Sequence, residues 1–445
     1  MIANAPLAWL VLVGAGSPAV LFALLGAASL LNRPLPERWT GRLAGTSMMI
    51  AIGALVTALV VYGTTGGGTR LLSYGEWSAS HDGGIAIEFL VDRLSLIFAS
   101  LTAAIAGVVA AFSNRYLHRE PGYNRYFVLL AMFVTGMLLV ALAGNVEVLF
   151  IGWELVGLSS ALLVAFFHER PAPASNALRV FAVYRISDAA MLSAAVLLRH
   201  VAGTDSLALL FSGVRVLSTI GLTETSATAI AVLLIVAVAC KSALLPFSSW
   251  LPRAMEGPTP SSAVYYGSLS IHAGCFLLLR SAPLLEHSMT ARILAGTLGL
   301  ATAIFAGLTT RVQTDVKSSL AYASLTQVGL IVVEIAIGWY TIAFVHLCGH
   351  ACFRLLQFLS APNVLHDLHG IENTMGDWRS GARAHRRVFL FAIERGFLDG
   401  ILDRAVVLPF TRLARRLTAL DRWLCDVVIP ARTPTLAEGG DGQDE

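Results

Sequence analysis

The sequence predicts an all-α polytopic membrane protein with about eleven transmembrane helices. Of its 445 residues, 56% are hydrophobic and only 13% are charged, about half the charged share of a typical soluble domain. Apolar runs long enough to cross a bilayer as helices recur along most of the chain. This composition excludes a soluble, disordered or fibrous protein. The net charge of +3 is too small to indicate nucleic-acid binding.

Each predicted span is an apolar run of membrane length. The N-terminus lacks the charged region of a cleaved signal peptide, so we interpret the first run as a retained span. The predicted spans cover residues 7–31, 43–64, 88–112, 126–143, 146–167, 178–199, 228–246, 261–281, 291–309, 318–338 and 340–360.

The positive charges of the short loops predict the orientation. Lys and Arg accumulate in cytoplasmic loops, and an outside N-terminus gives about eleven of them inside against about five outside. The sequence therefore predicts a multi-pass protein of the cell inner (plasma) membrane, with membrane lipid as a partner. Its N-terminus would lie outside and its C-terminus in the cytoplasm.

The character of the chain changes after residue 362. Residues 363–430 are predicted to form a cytoplasmic, amphipathic C-terminal segment, which lies along the membrane or against a partner. Residues 431–445 are predicted to be a disordered acidic tail.

Ionisable residues inside apolar runs are the first functional candidates, because charge at bilayer depth is costly. Glu154 lies in FIGWELVG, and either proton handling or a structural ion pair would explain it. Arg185 and Asp188 are three residues apart in VYRISDAA, which predicts a pair and favours a fixed electrostatic element. Lys241 follows AIAVLLIVAVAC, and a buried lysine, unlike arginine, can lose its proton. Pro246, in KSALLPF, predicts a broken helix, which is typical of ion paths.

Histidines mark a second group of candidates. His272 lies in SLSIHAG, while His346, His350 and Arg354 are spaced i, i+4, i+8 and so share one helix face. Histidines stacked in this way can relay protons near neutral pH, or they can be core residues bonded to backbone. Glu334, in VVEIAIG, is interpreted as a residue near the outer interface.

No metal or cofactor site is predicted in this chain. In HLCGHAC the two histidines share a helix face and Cys348 and Cys352 point roughly the other way, which excludes tetrahedral zinc. The five cysteines contain no CxxC spacing, and no Walker or GxGxxG motif is present. With no nucleophile–base pair visible either, we expect no enzymatic turnover from the chain on its own.

These residues lie in longer stretches that resemble the proton-translocating antiporter-like membrane subunits. That family includes the large antiporter-like subunit of respiratory complex I, the Mrp antiporter large subunit and the DabB-type subunit of inorganic-carbon accumulation complexes. The matching stretches run in family order over residues 88–360: FLVDRLSLIF, REPGYNRYF, FIGWELVGLSSALL, NALRVFAVYRISDAAML, KSALLPFSSWLPRAMEGPTPSSA, QTDVKSSLAYASLTQVG and FVHLCGHACFRLLQFL.

The resemblance implies roles for the candidates in proton translocation. Glu154 would tune a neighbouring lysine, Lys241, which is the proton-binding group on the first broken helix. Arg185 and Asp188 would be the charged pair beside that glutamate. Separately, the resemblance identifies His346 and His350 as the central-axis histidines of the proton path.

The chain departs from the family pattern at two positions in this path. Arg354 stands where the complex I subunit commonly has lysine, which keeps the charge but weakens proton release. Tyr266 stands where the family usually has histidine, and His272, farther along the helix, would be its substitute.

The resemblance also implies the domain organisation. Residues 1–112 would be N-terminal transmembrane helices, 113–284 one complete five-helix repeat of the antiporter-like fold, and 285–362 a truncated second repeat without its own broken helix. The long lateral helix of the complex I subunit has no counterpart. This pattern indicates an internal loss of several spans.

The predicted function is a proton-conducting membrane subunit that couples H⁺ movement to a partner, with Na⁺ left open as the ion. A DabB-type inorganic carbon (CO₂/bicarbonate) accumulation complex is favoured, with a cytoplasmic zinc-containing carbonic-anhydrase-like partner. One alternative is a proton-translocating subunit of a complex I-like assembly (NADH-quinone oxidoreductase or hydrogenase-related), with other respiratory-complex subunits as partners. The other is a non-transporting membrane scaffold.

Overall fold

Eleven helices long and apolar enough to cross a membrane make up most of the computed structural model, as the sequence predicted. The structure describes residues 5–78, 85–204, 206–210, 222–313, 315–361, 388 and 390–428. Its spans are α1 (Ala5–Leu30), α2 (Glu37–Thr64), α3 (Arg93–Tyr116), α4 (Tyr123–Leu142), α5 (Val146–Val164), α6 (Pro171–Ala202), α7 (Glu224–Lys241), α8 (Thr259–Arg280), α9 (Met289–Thr310), α10 (Val316–Ile337) and α11 (Tyr340–Ser360).

A β-hairpin precedes α3, and the sequence prediction missed it. Strand β1 (Arg70–Ser78) pairs antiparallel with β2 (Ile85–Val91), with Leu72 opposite Phe89. The predicted start of the third span at residue 88 is therefore wrong, because α3 begins at Arg93. A short apolar run such as IEFLV fits a strand as well as a helix, and periodicity alone does not separate the two.

The hairpin fastens several spans together at one end of the bundle. The Gly144 N–H, between α4 and α5, donates to the Glu88 carbonyl at 2.8 Å. Asn145 Nδ2 donates to the Ala86 carbonyl at 2.7 Å, and Tyr74 Oη donates to the Ala8 carbonyl of α1 at 2.7 Å. These bonds satisfy backbone carbonyls of the hairpin and of α1 at this end.

An ion pair joins α3 and α8 beside the hairpin. Asp92 caps α3 by accepting from the Ser95 N–H at 2.8 Å, and its carboxylate pairs with Arg280 at the end of α8. Burial by itself would raise the pKa of the Asp92 carboxyl, but the charge of Arg280 and hydrogen bonds from Arg280 and Ser95 hold that pKa below its usual value. The aspartate is therefore ionised at neutral pH.

The predicted break in the seventh span is present. Helix α7 ends at Lys241 instead of residue 246, so the predicted span was too long. Ala243 has a φ of 55°, and the chain forms a short helical turn at Trp250–Arg253 and a 3₁₀ turn at Ala254–Glu256 before α8 begins. Spans α9, α10 and α11 continue without such an interruption.

The described part of the C-terminal segment begins against the bundle and ends away from it. Arg253 pairs with Asp399 at 2.7 Å, and Arg179 of α6 pairs with Asp403 at 2.6 Å. The chain turns at Gly396, which has a φ of 65°, and helix α12 (Leu408–Val428) follows. The predicted tail at 431–445 lies outside the described residues, and the predicted domain boundaries remain predictions.

Helix α12 is amphipathic, as the sequence predicted for this segment. Four leucines repeat along it at spacings of four, three and four residues, and each is about half exposed: Leu413, Leu417, Leu420 and Leu424. Such spacing places them on one face of the helix. That apolar face has no described residue packed over it.

Candidate functional site

Lys241 is fully buried where α7 stops. Its Nζ donates to the Trp153 carbonyl of α5 at 2.9 Å and lies 4.4 Å from the centre of the Tyr184 ring. Glycine at position 157 makes room for it, since a Cβ there would lie 2.8 Å from Nζ. An ammonium has three donors, and one described hydrogen-bond acceptor is found for them. Because the ammonium form is incompletely paired, the neutral amine is also compatible with this site.

Arg185 joins the two predicted carboxylates beside Lys241. Its Nη2 lies 2.8 Å from Glu154 Oε2 on α5 and 2.7 Å from Asp188 Oδ2 on α6. The predicted i,i+3 pair is thus present, and Glu154 extends it to a triad. Among the described residues no carboxylate oxygen lies within ion-pair distance of Lys241 Nζ. The triad therefore acts on Lys241 through its field, not by direct contact.

Hydrogen bonds between backbone and side chains position the lysine and the triad. Trp153 Nε1 donates to Ser187 Oγ at 3.1 Å, and Ser187 Oγ donates to the Ala237 carbonyl of α7 at 2.8 Å. Ser187 immediately precedes Asp188, so α5, α6 and α7 are tied together at the level of the charges. Sequence reasoning missed Trp153, Tyr184 and Gly157 as parts of this site, because their roles arise only from the packing of three helices.

His272 and His350 form a direct pair between α8 and α11. His272 Nε2 lies 2.8 Å from His350 Nδ1, and both side chains are buried. Arg354 Nε donates to His350 Nε2 at 3.0 Å. Because arginine only donates, this bond leaves the proton of neutral His350 on Nδ1, from which it donates to His272. The proton of neutral His272 is then on Nδ1.

The lysine site and the histidine pair are adjacent. Ser242, next to Lys241, donates to the Ile271 carbonyl, next to His272, at 2.6 Å. Tyr184, whose ring borders Lys241 Nζ, is also fully buried. Tyr266 instead donates to the Ser160 carbonyl at 3.1 Å and is buried. Of Tyr266 and His272, therefore, only His272 is hydrogen-bonded to a predicted relay residue, His350.

His346 lies on the same face of α11 but has other partners. Its Nδ1 lies 2.9 Å from Glu334 Oε1, and its Nε2 lies 3.2 Å from Gln327 Oε1, both on α10. The rings of His346 and His350 are 6.2 Å apart between centres, and no hydrogen bond joins them. Glu334 stood out in the sequence as a charge in an apolar run, whereas nothing marked Gln327.

Pro246 lies in the non-helical stretch after α7, and Cys348 and Cys352 are partly and largely exposed. The hydrogen-bond partners of His346 and His350 are side chains of α8, α10 and α11, and no described hydrogen bond joins either histidine to these cysteines. The structure thus gathers the predicted residues into a lysine site, a histidine pair and a His346 cluster.

Two family models match parts of this chain. A family model described as "NADH:quinone oxidoreductase/Mrp antiporter, TM" matches residues 143–380, more than half of the chain. Another, described as "NADH-Ubiquinone oxidoreductase (complex I), chain 5 N-terminus", matches residues 77–127.

Two curated relatives illustrate the similarity in sequence. NADH-quinone oxidoreductase subunit L of Mycobacterium tuberculosis is 34% identical over 291 residues, which cover 64% of this chain and 45% of that protein. NADH-ubiquinone oxidoreductase chain 5 of Hylobates lar is 33% identical over 302 residues, which cover 67% of this chain and 48% of that protein. The chain thus spans about half the length of these relatives.

Two solved structures have a similar fold. A chain of the Mrp complex from Dietzia sp. DQ12-45-1b gives a TM-score of 0.65 at 28% identity, covering 80% of this chain and 37% of that one. A chain of the membrane-bound sulfane sulfur reductase, an archaeal respiratory membrane complex, gives 0.68 at 20% identity, covering 80% and 70%; this second likeness concerns the fold alone. The chain therefore belongs to the NADH:quinone oxidoreductase/Mrp antiporter transmembrane family.

Proposed function

We propose that this chain is a proton-conducting membrane subunit that couples H⁺ movement to a partner. The observation that carries the proposal is the enclosed Lys241, whose Nζ has one described hydrogen-bond acceptor and lies beside the Glu154–Arg185–Asp188 triad. A lysine held in this way can take up and release a proton within the bundle. A membrane scaffold would have no use for such a group.

Protons reach Lys241 from the side of the Glu154–Arg185–Asp188 triad. The Glu154 side chain is 28% exposed and that of Arg185 is 33% exposed, whereas Lys241 is fully buried. Protonation of either carboxylate would weaken the negative field that favours the ammonium. A proton arriving at the triad therefore promotes transfer from Lys241 towards the interior of the bundle.

The histidine pair lies on the other side of Lys241. The Ser242 hydroxyl, next to Lys241, donates to the Ile271 carbonyl next to His272, and His272 is bonded to His350. Hydroxyl and imidazole groups both donate and accept, so they can pass a proton along. The transported ion is H⁺, because a protonated lysine repels a second cation such as Na⁺ from the same site.

The proposed orientation follows from the positive charges of the loops, and the proposed lack of a cofactor follows from the absence of cofactor motifs in the sequence. The chain would lie in the cell inner membrane with its N-terminus outside and its C-terminus in the cytoplasm. It would hold no cofactor of its own, and any zinc or redox centre would belong to a partner. As in its family, it would act as a transport subunit without turnover of its own.

Two kinds of partner fit this subunit. The names of its relatives, subunits of quinone oxidoreductases and of an Mrp complex, favour the other membrane and redox subunits of such an assembly. The half-exposed leucine face of α12 favours a dedicated cytoplasmic partner. A zinc-containing carbonic-anhydrase-like protein would be such a partner, as in an inorganic-carbon accumulation complex, where H⁺ flow makes CO₂ hydration directional.

Proton flux through the reconstituted complex tests the function. The native complex would be placed in liposomes with a trapped pH dye, and a potassium diffusion potential would drive H⁺. Lys241→Met and Lys241→Arg should each lower the flux at least about ten-fold with the complex still assembled, because neither side chain exchanges a proton. The chain has one other lysine, Lys317, and Lys317→Arg is the matched control. Wild-type flux in Lys241→Arg would refute the proposal.

Purification of the tagged chain in mild detergent tests the partner. Mass spectrometry and a zinc assay should find either one large soluble zinc protein or several quinone-reactive and iron–sulfur subunits. The first result supports the inorganic-carbon assignment, and the second refutes it in favour of a redox-driven assembly.

A further inference from the structure

Three side chains form a cluster where α10 leads into α11. Gln327 and Glu334 lie two helical turns apart on one face of α10, and the His346 ring lies between them. The imidazole uses both nitrogens: Nε2 contacts Gln327 Oε1 at 3.2 Å, and Nδ1 contacts Glu334 Oε1 and Oε2 at 2.9 and 3.1 Å. The ring is therefore fixed by one neutral acceptor and one carboxyl group.

The hydrogen bonds of this cluster determine how many protons it holds. Because the amide oxygen of Gln327 only accepts, Nε2 of His346 carries a hydrogen. A neutral ring in that form would direct the lone pair of Nδ1 at the lone pairs of a carboxylate, which is repulsive at 2.9 Å. With the Gln327 oxygen facing the ring, the short Nδ1–Oε1 contact therefore holds one more proton, carried by the ring as imidazolium or by Glu334 as a carboxylic acid. With the amide turned over, Gln327 donates to Nε2 and the neutral ring donates from Nδ1 to the Glu334 carboxylate, so the cluster accommodates both the loaded and the unloaded state.

The cluster is nearer to the end of the bundle than the histidine pair is. Glu334 lies in the last turn of α10, just before the left-handed cap at Gly338 with a φ of 92°. The side chains of Glu334 and His346 are 20% and 26% exposed, whereas His350 is 6% exposed. A proton on Glu334 can therefore reach the surface, whereas a proton on His350 is enclosed.

We propose that Gln327, His346 and Glu334 form a proton-release site, which loads one proton from the relay and delivers it to the aqueous phase at this end of the bundle. The site rests on the proposed proton conduction. During release the N–H bond at His346 Nδ1 breaks and an O–H bond forms on Glu334. The carboxyl then gives the proton to water and returns to carboxylate. The next proton, arriving from the side of His350, restores the starting state.

The site supplies what the truncated second repeat leaves out. In the described residues the second repeat has no broken helix, and so no lysine at a helix break to receive protons from the relay. Glu334 and Gln327 come from α10, a helix of that same repeat, and they contact the α11 histidine directly. The path can therefore end within the spans that are present.

Replacement of Glu334 in the reconstituted complex tests the site. Glu334→Gln keeps the shape and can accept a hydrogen bond from His346, but it cannot take up a proton, so H⁺ flux should fall about ten-fold. Glu334→Asp keeps the carboxylate and should restore a substantial part of the flux. The matched control is Glu224→Gln, which changes an exposed glutamate in the first turn of α7.

A parallel measurement of Lys241→Met separates this inference from the proposed function. Flux lost in Lys241→Met and kept in Glu334→Gln would overturn the release site and leave proton conduction standing. Flux kept in both would overturn both. If Glu334→Gln fails to assemble, His346→Gln replaces it, because the amide can bond to both neighbours without exchanging a proton. Loss of flux in that variant supports the release site, and wild-type flux overturns it.

Discussion

The backbone of Gly157 directly borders the ammonium of Lys241. A Cβ on Gly157 would lie 2.8 Å from Lys241 Nζ, closer than a carbon and an ammonium nitrogen pack without adjustment. Four residues earlier on the same helix, the Trp153 carbonyl accepts the hydrogen bond from Nζ. Helix α5 thus provides both the acceptor and the space for the lysine.

Gly157→Ala should therefore displace Lys241 from the Trp153 carbonyl. We expect a loss of H⁺ flux of at least about ten-fold while the complex still assembles, because a sub-ångström shift of a proton-transfer group is costly. The control is Gly53→Ala on α2, where a Cβ would meet nothing within 4 Å. Equal flux in the two variants would contradict the spatial role of Gly157.

Arg185→Gln should uncouple the two carboxylates. Without the guanidinium, Glu154 and Asp188 lose their shared cation, and one of them should take up a proton, so that the field at Lys241 changes. We expect a large loss of flux. Arg199→Gln, at the other end of α6, removes a half-exposed pair with Glu147 and should cost little, since exposed ion pairs contribute about 0–1 kcal/mol. Equal losses in both variants would argue against a special role for the triad.

Arg354→Lys should raise the rate of proton transfer. Arg354 occupies His350 Nε2 with an N–H group that does not release its proton, so a proton leaves His350 through this nitrogen only when that hydrogen bond opens. A lysine at this position keeps the positive charge and has a proton that can exchange. The expected result is a several-fold higher flux at the same driving potential, measured with the trapped pH dye. An unchanged or lower flux would show that Arg354 does not limit the relay.

Asp92→Asn should destabilise the bundle. It leaves Arg280, whose side chain is 9% exposed, without its partner, and breaking such a pair costs on the order of 3 kcal/mol. Thermal unfolding in detergent should therefore occur at a lower temperature than in wild type. The pKa of Asp92 is lowered in the folded protein, so its contribution is fully present above the unfolded pKa of about 3.9 and is lost as the pH falls through the folded pKa.

An exchange of the two charges is the control for this pair. Asp92→Arg combined with Arg280→Asp should recover part of the stability lost in either single variant, because the attraction is restored. If the exchange is no more stable than the worse single variant, the capping of α3 by Asp92 is the more important contribution.

Much of this architecture was predictable because a bilayer forces long apolar segments into helices. The Arg185–Asp188 pair was also predictable, since it depends only on the spacing within one helix. The contact between Lys241 and the Trp153 carbonyl was not, because it joins positions 88 residues apart and any residue has a carbonyl. Gln327 gave no signal either, as a neutral polar residue in an apolar run becomes informative only once its neighbour is known.

The hairpin next to α3 has a mechanical consequence. Its bonds to α1 and to the α4–α5 connection, with the neighbouring Asp92–Arg280 pair, fix one end of the bundle. None of these bonds involves the interrupted stretch after Lys241. The same is true of Asp399 and Asp403 in the C-terminal segment. A displacement of the C-terminal segment would thus be transmitted to the bundle through its ion pairs with Arg179 and Arg253, while the end held by the hairpin stays in place.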